Sequence, residues 1–208
     1  MSTISIIGSG GMAAAIASVA TQAGHTVEIM SRDVAKAHVL AQSIGTGAHA
    51  GTFGAAPLGD IVILAVPYSA VLDAVKRYGD ALAGKILIDI TNPVGADLKS
   101  LVSLEDCFGA GEIVKVAPTS AHIVKAFNTQ FSHILASGSL NGHPLDVFVA
   151  ADNAQAKTQV VALIESLQMR PMDIGPLTMA RTLEHVCLLS LALMTHSIKH
   201  TNFTIRIA

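Results

Sequence analysis

Charged residues are scarce in this sequence. They make up 13% of the 208 residues, about half of the share in an average soluble domain. Less of the surface than normal can therefore be covered by charge, and a buried contact between subunits is one way to accommodate this. The formal net charge of −2 gives no electrostatic reason to expect nucleic acid or an anionic membrane as a partner.

Cysteines and long apolar runs are scarce as well. Cys107 and Cys187 are too few for a disulfide framework in a chain of this size, and their spacing fits no zinc motif. No basic region precedes the first apolar stretch, so we expect no cleaved signal peptide. The apolar run from Val186 to Met194 is shorter than the ~20 residues that a membrane span requires. We therefore expect a soluble, cytoplasmic protein.

The first residues predict a strand, a tight turn and a helix in direct succession. The apolar run from Ile4 to Ile7 leads into closely spaced glycines, and a run of helix formers follows. Gly8 permits the turn, Gly10 lets the backbone approach a pyrophosphate, and Ala13 lets the helix pack closely on the strand. The helix N-terminus then offers free N–H groups to the phosphates. We assign cofactor binding to Gly8, Ser9, Gly10, Gly11 and Met12.

Strand and helix patterns alternate along the rest of the chain, which is typical of a parallel sheet with helices on both faces. The predicted strands cover residues 26–31, 61–66, 85–90, 122–127, 146–150 and 170–174, and the predicted helices cover 34–43, 69–82, 153–167 and 178–200. We predict one α/β domain over residues 1–208, a Rossmann-type doubly wound fold with a mainly parallel sheet and a C-terminal helical segment over 178–208. The tail 203–207 alternates with period two and is expected to pair as a strand.

The residues after the second strand indicate which dinucleotide binds. In NAD-binding folds an acidic side chain about 20 residues past the glycines holds the ribose 2′-hydroxyl. Ser31 and Arg32 stand there instead, and they would bind a 2′-phosphate that a carboxylate would repel. Lys36 adds a second positive charge one helical turn later. We predict NADP(H) rather than NAD(H); the alternative is that Arg32 and Lys36 are solvated surface charges.

Ligands of open α/β sheets bind outside the carboxyl ends of the strands. Three further strand ends carry turn residues, namely Ala65-Val66-Pro67, Thr91-Asn92-Pro93 and Phe127-Asn128-Thr129. We assign Ala65, Val66, Pro67, Asn92 and Pro93 to the cofactor. None of these ends presents an acid placed to protonate an alkoxide, as a carbonyl reductase needs. Hydride transfer to a flavin-like ring needs mainly proximity and orientation, so we predict no catalytic side chain.

Several longer blocks extend this pattern. The most specific block runs from Arg170 to Leu177 and continues in Ala180-Arg181-Thr182-Leu183-Glu184, and 125–129 and 147–152 add to it. With these blocks the chain resembles the small coenzyme F420-dependent NADP oxidoreductases and the related cytosolic NADPH domain of the six-transmembrane metalloreductases.

The resemblance implies hydride transfer between NADP(H) and a deazaflavin (coenzyme F420) or a flavin, commonly in a homodimer. It implies that Phe127, Asn128, Thr129 and Leu177 bind the substrate. Where this chain has Asn128-Thr129, the deazaflavin-dependent members carry a His-Thr pair. The second substrate is therefore open between coenzyme F420, FMN, FAD and a ferric chelate.

Three alternatives remain at this point. His185, His196 and His200 allow a metal site, but no acidic or cysteine partner completes it, so we predict no metal. A pyrroline-5-carboxylate reductase or β-hydroxyacid dehydrogenase shares the N-terminal pattern, but one long helix after residue 178 is too little for their helical domain. The third alternative is a non-enzymatic NADPH sensor or regulatory module.

Overall fold

The computed structural model describes residues 1–102 and 107–207. Its strands are β1 (Thr3–Ile7), β2 (Thr26–Ser31), β3 (Ala48–Thr52), β4 (Ile61–Leu64), β5 (Ile86–Asp89), β6 (His122–Lys125), β7 (Ser139–Leu140), β8 (His143–Pro144), β9 (Asp146–Ala151) and β10 (Arg170–Asp173). Its α-helices are α1 (Gly11–Gln22), α2 (Val34–Ile44), α3 (Tyr68–Tyr78), α4 (Gly109–Val116), α5 (Ser132–Ser137), α6 (Ala154–Ser166) and α7 (Ala180–Leu193).

Eight of these strands form one sheet in the order β10-β9-β6-β5-β4-β1-β2-β3. All neighbours pair in parallel except β6 and β9, which are antiparallel. The chain first builds outward from β1 through β2 to β3 and then returns to β4 on the other side of β1. The carboxyl ends of β1 and β4 therefore flank the topological switch point, where ligands of such folds bind. The predicted Rossmann-type fold is confirmed.

Helices cover both faces of the sheet, and this explains why the strand β4 is apolar throughout. Ile61 and Ile63 belong to the core on one face, whereas Val62 and Leu64 belong to the core on the other. Because successive side chains of a strand point to opposite faces, a central strand buried on both sides must be continuously apolar. The first core includes residues of α1 and α6, and the second includes residues of α3 and α4.

The C-terminal segment differs from the sequence-based expectation in two ways. The helix ends at Ile198, where Lys199 takes a left-handed conformation with φ 62°. His196 and His200 therefore do not lie one turn apart on a helix. The tail after it forms no strand among the residues up to 207, so the prediction of a tail strand is wrong. Instead, side chains hold its backbone: Ile207 N–H donates to Asp146 Oδ2 at 2.8 Å.

The last helix is also longer than the apolar run within it suggests. Helical structure is continuous from Leu177 to Ile198, 22 residues, and this segment is long and apolar enough, by those two criteria alone, to cross a membrane. Of its most apolar stretch, 28% is buried. Most of the apolar surface of this stretch therefore faces outward.

Candidate functional site

The glycine turn between β1 and α1 is shaped by a close backbone contact. Gly8 has φ 131°, and its N–H donates to the carbonyl of Met30 at 2.8 Å. A Cβ at Gly8 would lie 2.0 Å from the carbonyl oxygen of Ala65, so only glycine fits at this position. The turn thereby brings the ends of β1, β2 and β4 together at the switch point.

Gly10 faces open space at the start of α1. It is the N-cap residue, makes no side-chain cap and is followed by no acidic residue in the first turn. A Cβ on Gly10 would meet no protein atom within 4 Å. Gly11 is the first helical residue, and its Cβ would lie 3.3 Å from Ser132 Oγ of α5. The free N–H groups and the positive end of the helix dipole therefore point into a space that an anion can occupy.

The end of β2 supplies the polar side chains of the site. The hydroxyls of Ser31 and Ser9 lie 2.9 Å apart, which links the second strand to the glycine turn. Asp33 caps α2 by accepting a hydrogen bond from the backbone N–H of Lys36 at 3.0 Å, and the Lys36 ammonium lies 3.4 Å from the same carboxylate. Within the described residues Arg32 makes no hydrogen bond or ion pair. Arg32 is thus the free cation at this end of the site.

A cavity of about 350 Å³ joins these groups. It is lined by Gly8, Ser9, Gly10, Ser31, Arg32, Asp33, Lys36, Phe53, Ala65, Val66 and Pro67. Most of the residues that the sequence assigns to the cofactor therefore surround one space. Gly11 and Met12, in the first turn of α1, and Asn92 and Pro93, after β5, are not part of this lining.

The strand ends of β5 and β6 form a second polar group beside this cavity. Asn92 Nδ2 donates to the carbonyl of Asn128 at 2.8 Å, and Asn128 Nδ2 donates to Asn92 Oδ1 at 2.8 Å. Thr91 Oγ1 and Asn128 Oδ1 are buried without a hydrogen-bond partner in the described part of the chain. A buried polar atom without a partner costs free energy, so both atoms are candidates for contact with a bound ligand. Pro93, which follows Asn92 in the chain, lies 3.6 Å from the position that a Cβ on Gly109 would take.

Two of the residues that the resemblance assigns to the substrate have side chains that are buried in the core rather than exposed at the site. Phe127 is 1% exposed and packs in the core, with its backbone in the left-handed region at φ 61°. Leu177 is buried as well, and its N–H bonds to Asp152 Oδ1 at 2.8 Å. Because β9 runs antiparallel to β6, Asp152 lies at the amino edge of the sheet, opposite the glycine turn. The structure therefore places Asn128, followed in the chain by the buried Thr129, at the strand ends beside the cavity, whereas Leu177 lies toward the opposite edge of the sheet.

The sequence analysis missed a group of buried charges at the same strand ends. The ammonium of Lys125 lies 2.8 Å from Asp89 Oδ2 and 3.0 Å from Glu184 Oε1, and it donates to the carbonyl of Thr91 at 2.6 Å. Burial lowers the pKa of Lys125, but the charges of Asp89 and Glu184 outweigh it and raise that pKa overall. The lysine directly after the apolar residues Ile123 and Val124 of β6 was the signal in the sequence, since a buried lysine needs a buried partner.

The side chains of Tyr68 and Pro93 both lie against Gly109. The Tyr68 O–H donates to Glu112 Oε2 at 2.6 Å. Burial, the hydrogen bond to Glu112 and the charge of that carboxylate raise the pKa of Tyr68. A phenol with a raised pKa whose proton is already engaged is a poor general acid at neutral pH.

No group of three or more histidine, cysteine or acidic side chains in residues 1–102 and 107–207 is placed to hold a metal ion. His185 uses one ring nitrogen in a 2.7 Å hydrogen bond with the carbonyl of Arg181. His200 lies beyond the end of the helix that carries His196. The three histidines therefore do not converge.

A doubly wound sheet with a glycine turn at its switch point defines a dinucleotide-binding protein of the Rossmann type. Comparison with known proteins gives the family. Residues 3–93 match the family described as NADP oxidoreductase, coenzyme F420-dependent. Residues 3–93 are therefore similar to this family of NADP-dependent oxidoreductases, and the resemblance found in the sequence is confirmed.

Individual relatives extend the likeness along the chain. Metalloreductase STEAP3 from Rattus norvegicus is 26% identical over 183 residues, 88% of this chain and 36% of that protein. F420-dependent NADP reductase from Methanocaldococcus jannaschii is 27% identical over 136 residues, 64% of this chain and 60% of that protein. A solved structure from Arthrobacter sp. FB24, described as a candidate F420-dependent NADP reductase, matches 100% of both chains with a TM-score of 0.88 and 27% identity. The chain spans less than two thirds of either curated relative.

Proposed function

We propose that this protein binds NADPH and passes its hydride to the flat ring of a deazaflavin or a flavin. The single observation that carries the proposal is the cavity at the switch point, where the glycine turn and the unpaired Arg32 line the same space. The glycine turn supplies backbone N–H groups for the diphosphate. Arg32 and Ser31 supply donors for a 2′-phosphate, which NADPH has and NADH lacks.

The residues present fit this cofactor. Open space at Gly10 leaves room for a phosphate, and no acidic residue in the first turn of α1 opposes it. The partnerless Asn128 Oδ1 and Thr91 Oγ1 suit the amide donor of a carboxamide, so these two residues would hold the nicotinamide end. When bound, NADPH supplies the hydride. Asn92 donates one hydrogen bond to Asn128 and accepts another from it, and the two bonds keep the strand ends in fixed register.

The kind of electron acceptor is inferred from the lack of a free acidic group at the described strand ends. At these strand ends Lys125, Asp89 and Glu184 bond one another and neighbouring backbone groups, and Tyr68 donates its hydroxyl proton to Glu112. A carbonyl substrate would need a free acid. A flavin or deazaflavin needs only to stack against the nicotinamide. The names of the two curated relatives, an F420-dependent reductase and a metalloreductase, agree with redox acceptors of this kind.

The experiment is a panel of acceptors. The protein is mixed with NADPH and, in separate reactions, coenzyme F420, FMN, FAD or a ferric chelate, and the loss of near-ultraviolet NADPH absorbance is followed. We expect turnover with one of the ring acceptors, and a higher KM for NADPH in Arg32→Ala at an unchanged kcat. Tight NADPH binding with no acceptor reduced would instead support an NADPH sensor, and no NADPH binding would contradict both functions.

We further propose a cytoplasmic homodimer that uses the outer face of α7. Leu189 is 52% exposed, and its neighbours Val186, Leu193 and Met194 are only partly buried. An apolar helix face of this length in a chain with so little charge is typical of a subunit contact. Leu189→Glu should shift the mass measured by light scattering from two chains to one. A wild-type mass of one chain would contradict the proposal.

A further inference from the structure

The cofactor cavity continues into a smaller side cavity of about 200 Å³. The two spaces share Arg32, Phe53 and Val66 in their linings. The remaining lining of the side cavity comes from α3, with Ala70, Asp73, Ala74 and Arg77. The side cavity therefore begins where the 2′-phosphate end of the proposed site stops, beyond the glycine turn.

One face of α3 builds this side cavity. Ala70, Asp73, Ala74 and Arg77 follow the spacing i, i+3, i+4 and i+7, which places them on the same side of a helix. The two alanines leave room next to the helix axis, and the two charged residues stand at the rim. The opposite wall is Phe53, which is fixed by an edge contact with Tyr78 at a ring distance of 5.4 Å.

The two charged side chains at the rim are free to bind a ligand. Asp73 and Arg77 form no ion pair with each other, although they are one turn apart, and neither makes a hydrogen bond to another described residue. Arg77 lies against the loop after β3, because a Cβ on Gly54 would come within 3.1 Å of its Nε. The side cavity thus has flat apolar walls, one free carboxylate and one free guanidinium.

A purine base matches this arrangement. Its faces suit the apolar walls and the guanidinium of Arg32, which can stack on an aromatic ring. Adenine presents an amino donor next to a ring-nitrogen acceptor. A carboxylate accepts from the amino group, and a guanidinium donates to the ring nitrogen. A base with an oxo group at the same position, such as hypoxanthine, presents an acceptor to the carboxylate and would be repelled.

We propose that Asp73 and Arg77 read the edge of the adenine base, so that α3 makes the site selective for adenine dinucleotides. This inference rests on the proposed function, because it assigns the adenosine end of the same site. It goes beyond it in naming two specificity-determining residues on α3, outside the glycine turn and the β2 end, that act on the base rather than on its phosphates.

The test compares NADPH with its hypoxanthine analogue, which differs at the base alone. Dissociation constants are measured from nicotinamide fluorescence for the wild type, Asp73→Asn and Arg77→Met. Lys76→Met and Asp80→Asn serve as matched controls, since both residues are exposed on or directly after α3 and neither lines the cavity. Binding alone is measured, so the identity of the electron acceptor does not enter.

We expect the wild type to bind NADPH roughly tenfold more tightly than the hypoxanthine analogue, the usual worth of a charge-assisted hydrogen bond. Asp73→Asn should reduce this preference to about twofold or less, because an amide can also donate to the oxo group. Arg77→Met should weaken NADPH binding by about tenfold, and the two controls should change nothing. Equal binding of both dinucleotides by the wild type, or an unchanged preference in Asp73→Asn, would overturn the inference and leave the proposed function standing. Failure of the wild type to bind NADPH would overturn both.

Discussion

Lys125 and Asp89 form an ion pair of 2.8 Å in which both side chains are fully buried. Glu184 of α7 joins the same ammonium at 3.0 Å, and its other carboxylate oxygen accepts from the N–H of Gly109. Together with the carbonyl of Thr91, these contacts use all three N–H donors of the lysine. The group therefore ties α7 to the carboxyl ends of β5 and β6, where the proposed nicotinamide site lies.

Removing the ammonium from this group should destabilise the fold. In Lys125→Met the carboxylates of Asp89 and Glu184 would face each other without a counter-charge, and breaking a buried pair in this way costs about 3–5 kcal/mol. The free energy of unfolding can be measured with urea. The matched control is Lys85→Met, because the Lys85–Asp60 pair has an Asp60 side chain that is 91% exposed and should contribute at most about 1 kcal/mol. Similar losses in both variants would contradict the prediction.

The pH dependence of this group follows from the direction of the pKa shift. The pKa of Lys125 is raised in the folded protein, so its contribution is fully present below the pKa of an unfolded lysine, about 10.4, and is lost as the pH rises through the folded value. The wild type should therefore keep the full contribution of Lys125 to the free energy of unfolding from neutral pH up to about pH 9, which urea unfolding at several pH values can measure.

Substitution of Gly8 should affect the stability of the fold, whereas substitution of Gly10 should affect NADPH binding. Gly8→Ala places a Cβ 2.0 Å from the carbonyl oxygen of Ala65 in a left-handed backbone, which should cost about 1–3 kcal/mol of stability or more. Gly10→Ala meets no protein atom and should leave the melting temperature nearly unchanged while it weakens NADPH binding, because its methyl group enters the space for the diphosphate. Thermal unfolding and NADPH fluorescence titration measure the two effects. Unimpaired NADPH binding by a folded Gly10→Ala protein would show that the diphosphate does not bind at this turn.

Arg32 and Lys36 should contribute unequally to the choice of cofactor. Arg32 has no partner among the described residues, and we expect Arg32→Ala to weaken NADPH binding by about 1.5–3 kcal/mol with NADH nearly unaffected. The Lys36 side chain is 72% exposed and already faces Asp33 at 3.4 Å, so Lys36→Ala should have a smaller effect. Calorimetric titration with both cofactors checks this. Equal losses for NADPH and NADH in Arg32→Ala would defeat the assignment.

Local sequence patterns were sufficient for the glycine turn and for most strands of the sheet, although β3 was not among the predicted strands. The alternation of strands with helices predicted a mainly parallel sheet. The apolar run at 61–66 indicated a central strand, because a strand that is buried on both faces has apolar side chains throughout. The contacts of Lys125 with Glu184 were not readable. They join residues 59 positions apart in sequence, and no local periodicity carries information about such a pair.

The same distinction explains where the structure departs from the sequence-based expectations. The period-two pattern of the tail predicted a strand, but in the structure Arg170 and Asp146 bond both backbone groups of Ile207, so the tail is held by side chains rather than by a neighbouring strand. The placement of Leu177 depended on β9 running antiparallel to β6. Strand direction at the end of a sheet is a property of the tertiary fold, and the sequence pattern of β9 is the same for either direction.

The tail should be released in acid. Asp146 is fully buried and accepts from Arg170 at 2.6 and 2.7 Å and from the N–H of Ile207 at 2.8 Å. Burial raises the pKa of Asp146, but the hydrogen bonds and the charge of Arg170 outweigh it and lower that pKa overall. A carboxyl with a depressed pKa stabilises the folded contact above its unfolded value, about 3.9, and loses this contribution as the pH falls through the folded value.

The protection of the Ile207 N–H against hydrogen exchange, relative to an unstructured peptide at the same pH, should therefore persist from neutral pH down to about pH 4 and be lost below it. Asp146→Asn removes the charge at every pH, so its tail should exchange quickly at neutral pH, and trypsin should cut after Arg206 faster than in the wild type. Asp173→Asn is the matched control, because Asp173 lies on the adjacent strand and pairs with Lys157 at 2.9 Å instead of with the tail. Slow exchange of the tail in a folded Asp146→Asn protein would show that the Phe131–Phe203 contact, with ring centroids 5.3 Å apart, holds the tail without the carboxylate.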